Sequence, residues 1–477
     1  LLKSQFKSVK NVLGFLIFMG FSRNMFRVLI FLHLIVVSES IRANLAQPML
    51  TQEEVPTTSM VWTLSSSLRG AVEYSQDVKL AQERLRESES QLSLLRSELF
   101  PTVNSNLSWL VSKDALKGNP LFNGEFYNRY SMGIELNQPL IRGGLTTGAL
   151  NAQRKQLAIV ELDAQIAERN VSIDVIKAYY QLLLAERKVE IYRKIRSIRR
   201  ELLKTAESRY RIGREEQLSV LQIRTELAMI EPQVVQSENS RALAAASFAN
   251  LLGLKTEKEL RIEIPKSPLR FRNLNSFQLS KKVKDEVPEI IKNRLMVEQA
   301  QHLQRAQMSV HWPKLDAVAG LSRSTFNKSD LFDSDSTQYS YGLRLSVPLF
   351  TGLSSTHQRS QLISKIEQAR INENKLQDTN QLERVQNKQQ MQNAEVVLKA
   401  TEEALKQAQE SVRVASRTYQ LGTSNYLQVS QSQTRLAEAE IAFEDAQFQV
   451  ISQLLEFSKV HGIVIADLLP LFEGSAL

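Results

Sequence analysis

Two periods organise the apolar positions of this chain. Over one long stretch Leu157, Val160, Ala164, Ala167, Val171, Val175, Ala178, Leu182, Ala185, Val189 and Tyr192 advance by threes and fours, the seam of a helix that packs as a coiled coil. A second seam runs beside it through Ile159, Leu162, Ile166, Ile173, Ile176 and Tyr180. A helix on the outside of a globule needs one apolar stripe, so two stripes predict two helical neighbours, as in a sheet or tube of helices. No proline interrupts Leu145 to Tyr210, which predicts one helix of roughly 100 Å at about 1.5 Å per residue. Helices are also expected from Trp62 to Leu99, stopped by Pro101, and from Glu215 to Leu252, with a kink at Pro232.

Between these stretches the period drops to two. In "TVNSNLSWLV" Val103, Leu107, Trp109 and Val111 oppose Thr102, Asn104, Asn106 and Ser108. In "YSMGIELNQ" Tyr130, Met132, Ile134 and Leu136 oppose Ser131, Gly133, Glu135 and Asn137. Tyr339, Tyr341, Leu343, Leu345 and Val347 oppose Ser340, Gly342, Arg344 and Ser346, with "LDAVAGLS" as a weaker partner. Such alternation predicts strands, placed at about 101–112, 127–139, 313–324 and 338–348. A single copy fits a soluble hairpin equally well. Two copies, each near the ~9–11 residues that cross a bilayer, favour a membrane β-barrel. Four strands cannot close a barrel, so that reading requires an oligomer.

The chain is a tandem duplication. Pro139 and Pro348, Gly143 and Gly352, Tyr210 and Tyr419, Gly213 and Gly422, Leu218 and Leu427, and Gly253 and Gly462 all stand 209 positions apart, while Phe100-Pro101 and Trp312-Pro313 stand 212 apart. Repeats are therefore expected at 57–260 and 278–465, with a linker at 261–277 and a tail at 466–477. Each repeat ends its long helix at a glycine turn, with tips at 208–218 and 417–427. Gly213 is expected in the left-handed conformation that terminates the helix of Tyr210, with Leu218 and Leu427 stapling the returning helices.

Composition narrows the function. Only 17 Gly and 12 Pro punctuate 477 residues, and aromatics make up 7%, which fits long striped helices better than a thick globular core. The chain has no Cys, which excludes disulfides, thiolate metal sites and a lipid-bearing cysteine, and its five His form no close pair. No cofactor or metal is expected. The net charge of +9 comes with Glu interleaved among the basic residues, which argues for a solvated surface rather than nucleic-acid binding. Residues 25–46 read as a secretory signal, with a basic start, an apolar run and a small polar end, and 1–24 as an upstream extension. "GGLTTG" at 143–148 lacks the Lys of a phosphate loop and reads as a strand-to-helix turn. "DLFDSDS" at 330–336 lacks the glycine and distal Glu of a calcium loop and reads as an acidic surface loop. Helical neighbours such as Glu215-Glu216 and Glu402-Glu403 do not converge on a substrate, so no enzyme is expected.

These features together resemble the TolC-like outer-membrane efflux proteins, the outer-membrane components of tripartite export systems. "ELFPTV" and "VHWPKL" are similar to the family's helix-to-strand junctions, "NQPLIRGG" and "SVPLFTG" to its strand-to-helix turns, "VPEI" to its Pro-Glu helix start, and the glycine turns to its periplasmic tips. The resemblance implies a mainly α fold with membrane β-strands. Long coiled-coil hairpins would form a trimeric α-barrel topped by a shared 12-stranded β-barrel, four strands per chain. It implies a homotrimer in outer-membrane lipid, with the tips at Tyr210, Gly213, Leu218, Tyr419, Gly422 and Leu427 docked to a periplasmic adaptor and an inner-membrane RND or ABC transporter. The expected cargo is small molecules, drug or metal; a type I protein secretion system is the alternative, and a poreless coiled-coil protein is a further one. One departure stands out. Positions where the best-known members carry aspartates at a pore constriction hold Gln428 and Gln431 here. The basic run before the first tip, with Arg196, Arg199 and Arg200, has no equally basic counterpart in the second copy, and is either a solvated face or a docking patch for an acidic adaptor surface.

Overall fold

Helix-period and strand-period stretches alternate along the chain as helices and strands in a computed structural model. It describes residues 61–113, 126–213, 216–254, 261–263, 286–326, 337–421, 423–424, 426–465 and 468. The expected signal and extension, most of the linker and tail, the acidic loop at 330–336 and Gly422 lie outside the described residues.

Each repeat begins with a helix that leads into a strand pair. A two-residue strand β1 (Val61–Trp62) precedes α1 (Leu64–Tyr74) and α2 (Gln76–Ser97). Then come β2 (Thr102–Lys113), β3 (Phe126–Ile141), α3 (Leu145–Arg211) and α4 (Gln217–Leu251). After β4 (Arg261–Ile262) the second repeat runs α5 (Pro288–Met308), β5 (Lys314–Thr325), β6 (Thr337–Ser346), α6 (Ser354–Gln420) and α7 (Tyr426–His461). α5 opens with Pro288 in its first turn, where the missing N–H costs nothing. α3 and α6 have 67 residues each, about 100 Å of helix. α4 continues as one helix past Pro232, beside a groove of about 490 Å³ against α3.

The strands form one antiparallel sheet in the order β2-β3-β5-β6. Its register places Asn104, Glu135, Gly320 and Ser340 in one row, and Val103, Leu136, Ala319 and Tyr341 among the residues of the opposite face. Thr102, Asn104, Asn106, Ser108, Ser131, Glu135, Asn137, Ser322 and Arg344 make one face polar, with Glu135 3.9 Å from Arg344 and Arg142 3.1 Å from Asp316. Leu107, Trp109, Val111, Ile134, Leu321, Leu343 and Leu345 make the other face apolar, and all of them are exposed. At the base of the sheet Gly143 and Gly144 take φ of +62° and +92° and open α3. A side chain on Gly143 would collide with Trp312.

Helices continue below the sheet as a single open layer. α2 and α4 lie along α3, α5 lies between α3 and α6, and α7 lies along α6 and touches α3. The two seams of α3 are thus both used, which is why Val175, Ile176, Tyr180 and Leu182 are fully buried. The thickest core is where the β1–β4 pair crosses the layer. There Phe248, Leu252, Leu454 and Leu455 reach 0% exposure, and Tyr179 donates its hydroxyl to the Glu263 carbonyl.

The outer edges of the layer are unlike its middle. α6 buries only Ile366, Asn380, Asn387 and Met391. Ile371, Leu382, Val385, Val396 and Val414 stay exposed on it at spacings of three, eleven and eighteen residues, which fall on one helical face. α4 leaves Leu218, Leu221, Met229 and Leu243 exposed.

Candidate functional site

Both hairpins end at the same level, farthest from the sheet. At the first tip α3 is closed by Ile212 and Gly213; Gly213 has φ +71° and its N–H bonds the Tyr210 carbonyl. Nothing lies within 4 Å of a side chain built there, so the backbone conformation alone requires glycine. At the second tip the Thr423 N–H bonds the Thr418 carbonyl across Leu421, the long closure of a Schellman turn.

A small core joins the tips. Ala206 of α3, Val220 and Ile223 of α4, and Tyr426 of α7 are buried together, with Leu202, Leu203 and Tyr419 against them. The Arg209 guanidinium sits 4.7 Å from the centre of the Tyr419 ring, a cation–π contact between hairpins. Tyr210 is 45% exposed and takes no such place. Leu218 and Leu427, at 60% and 42% exposure, do not staple the returning helices within the chain; Tyr426, at 3%, fills that position in the second hairpin.

Polar bonds reinforce this core. Glu226 of α4 accepts hydrogen bonds on one carboxylate oxygen from the Tyr426 hydroxyl at 2.9 Å and the Ser430 hydroxyl at 2.6 Å. Arg199 donates to the Glu226 carbonyl at 2.9 Å and to the Thr434 hydroxyl at 3.2 Å, with its Nε 3.9 Å from the Glu226 carboxylate. One carboxylate therefore ties the first hairpin to the second. Burial, more than the adjacent carboxylate, pushes the Tyr426 phenol well above its ordinary value, so it remains a donor.

Several arginines of the basic run pair with carboxylates across the layer, although Arg193 and Arg200 keep more than half of their side chains exposed. Arg196 and Arg200 both pair with Glu231, at 3.3 and 2.7 Å, and Arg193 pairs with Glu238. At Glu231 desolvation is outweighed by the hydrogen bonds from Arg200 and Arg196, and the carboxyl lies below its usual range. The physical reason is hairpin geometry: residues at comparable distances on the two sides of Gly213 meet, Arg199 standing 14 positions before it and Glu226 13 beyond. Reading charges across the turn would have revealed the pairing; reading α3 alone does not. Gln428 and Gln431 are exposed, and Gln428 accepts a bond from the Ser424 hydroxyl.

Comparison with known proteins fits this geometry. The family model described as "Outer membrane efflux protein" matches residues 68–254 and 279–462, one segment in each repeat. The chain is 23% identical over 294 residues to the pyoverdine export outer membrane protein OpmQ of Pseudomonas aeruginosa, covering 60% of this chain and 61% of that one. It is 23% identical over 296 residues to the alkaline protease secretion protein AprF of the same species, covering 57% and 58%. The chain thus spans about three fifths of the curated relatives it matches. Among solved structures, the outer membrane protein VceC of Vibrio cholerae superposes with a TM-score of 0.71 at 20% identity, covering 84% of this chain and 96% of that one.

Proposed function

The chain belongs to the outer membrane efflux protein family, and on that premise we propose that it is the exit duct of a tripartite export system, built as a homotrimer in the outer membrane. The observation that carries this reading is the sheet: four amphipathic strands whose two outer edges have no strand partner among the described residues, continuous with a helical layer whose two edges are apolar and exposed. β2 has 12 residues, about 40 Å of strand, which spans a hydrocarbon core of about 30 Å at the tilt usual in barrels. Unpaired backbone is not tolerated in lipid. Edge strands β2 and β6 are different surfaces, so copies join head to tail, and such contacts close into a ring when the rotation allows. Three copies give 12 strands and a tube of helices beneath them.

In this reading the polar face of the sheet lines the conduit and the apolar face meets lipid. The tips, with Tyr210, Gly213, Leu218, Tyr419, Gly422 and Leu427, take the periplasmic adaptor, and Arg200, whose side chain is 57% exposed, is the member of the basic run placed to meet it. Gln428 and Gln431 line the constriction as neutral amides, so closure there is steric. Cargo moves by the work of an inner-membrane RND or ABC transporter and the chain performs no catalysis. The cargo class is small molecules, drug or metal; the secretory name of one relative favours protein export as the second reading.

Membrane fractionation with planar-bilayer recording tests the proposal. An outer-membrane trimer that resists SDS and conducts ions supports it. Recovery of the chain as a monomer, or in the inner membrane, would overturn it.

A further inference from the structure

The apolar face of the sheet carries two cations, and both stand toward its outer end, away from the helices. Strand alternation puts Lys113 on the face of Trp109 and Val111, and Arg323 on the face of Leu321. No other Lys or Arg of β2, β3, β5 and β6 falls there.

Their height follows from the repeat. Adding 212 to β2 positions and 209 to β3 positions converts the pairs Thr102↔Asn137 and Trp109↔Tyr130 into Lys314↔Ser346 and Leu321↔Tyr339, which are pairs observed between β5 and β6. Where the hairpins join, Asn137 meets Val318 rather than Lys314, a stagger of four residues that tilted strands require. In the barrel proposed above, equivalent residues therefore stand level: Trp109 and Tyr130 with Leu321 and Tyr339. Trp109 and Tyr130 stack with ring centres 6.5 Å apart, and Trp109 donates its indole N–H to Asn128 at 2.9 Å. Tyr339 and Tyr341 are exposed beside them. Aromatic residues of this kind sit where hydrocarbon meets headgroups. Arg323 is two residues farther out and Lys113 four, which is about 5 and 10 Å above the aromatics at the tilt usual in barrels.

Pairing sets these two cations apart. The carboxylates of the four strands are Glu135 and Asp316; both lie on the polar face, where they take Arg344 at 3.9 Å and Arg142 at 3.1 Å. The Lys113 ammonium lies 5.1 Å from the centre of the Phe126 ring, and Arg323 donates its Nε–H to the Thr337 hydroxyl at 2.7 Å. Among the described residues no carboxylate stands within 4 Å of either cation.

We propose that Lys113 and Arg323 bind the phosphate groups of phosphorylated glycolipid in the outer leaflet. This rests on the membrane duct proposed above and adds a lipid site to it. A guanidinium held through its Nε presents its remaining N–H groups to phosphate oxygens, and the ammonium adds a point charge. The surface around both cations is the one that meets lipid, so the anion nearest to them is a headgroup; a soluble acidic protein would have to displace lipid to reach them.

Native mass spectrometry of the full-length, detergent-purified trimer tests the site, by titration with bisphosphorylated lipid A and with its phosphate-free form. The parent is expected to bind the phosphate-free form about thirtyfold more weakly, the effect of two cations at a membrane surface. Lys113→Gln with Arg323→Gln should abolish that preference, and each substitution alone should lower it about fivefold. The single variants carry the test if the double variant yields no trimer. Arg344→Gln, on the polar face, should leave the preference as it was. Equal binding of the two lipids by the parent, an undiminished preference in the glutamine variants, or an equal loss in Arg344→Gln overturns the lipid site while the duct stands. A parent chain that is monomeric in the membrane overturns the duct reading and the site with it.

Discussion

Removing the Glu226 carboxylate is expected to free the start of α7 from the first hairpin while the rest of the layer stays folded. In the native chain that carboxylate accepts from two hydroxyls, Tyr426 and Ser430, and Tyr426 is 3% exposed. Hydrogen bonds to a charged group are each worth about 1.5–3 kcal/mol, and leaving a buried hydroxyl unpaired costs about 1–3 kcal/mol. The Glu226 side chain is 27% exposed, so water recovers part of this and the lower limits apply. Glu226→Ala should cost about 3 kcal/mol of local stability, which is about a hundredfold in the opening equilibrium. Glu226→Gln keeps an acceptor and should cost about 1 kcal/mol, in line with the weaker bonds made by neutral groups. Amide hydrogen exchange reads that equilibrium directly when closing outpaces exchange. Amides of residues 429–434 should exchange about a hundredfold faster in Glu226→Ala, and those of the core at 450–455 should not change. Tyr426→Phe, added to Glu226→Ala, should cost almost nothing further, because both remove the same bond. Unchanged exchange at 429–434 refutes the tie; equal acceleration at 450–455 refutes its local character. In the proposed trimeric duct this loosening should also give more frequent openings in bilayer recordings.

Other residues give independent tests. Gly213→Val forces a branched side chain to φ +71° with no clash to blame, and should lower stability by about 1–2 kcal/mol, with Gly213→Asn milder in the same thermal melt. Leu353 holds φ +63° where the first repeat has Gly144, so Leu353→Gly should raise the melting temperature by relieving up to about 1 kcal/mol of strain; a fall contradicts this. Glu231 has a folded pKa below its ordinary 4.5, so its contribution is complete above that value and is lost as pH falls through the lower folded one. Glu231→Gln should therefore flatten the acid limb of the melting-temperature profile, and an unchanged limb counts against the pairing. On the face proposed to meet lipid, Leu343→Arg should cost about 2–4 kcal/mol near the middle of the membrane and reduce the proposed outer-membrane trimer, while Leu343→Ile should leave it unchanged.

Much of this molecule was legible without coordinates because its physics is local and doubled. A stripe at helical spacing and an alternation at period two each depend only on where a side chain points from its own backbone. The strand pairs at Val103 to Val111 and Tyr339 to Leu345, the double seam of α3 and the left-handed glycine at 213 follow from that. Repetition at 209 and 212 residues then made each feature count twice. What stayed hidden was decided by neighbours distant in sequence. Arg196, Arg199 and Arg200 look like free charge along α3, and only the antiparallel return of α4 brings Glu226 and Glu231 against them. Leu218 and Leu427 look like staples by position, yet the packing of α3 against α7 gives that place to Tyr426. The sequence by itself determined which elements form and where they turn, since propensity and periodicity are written into each stretch. The tertiary structure decided which charges pair inside the chain and which strands lie at the edges of the sheet, because both depend on the order in which helices and strands lie side by side.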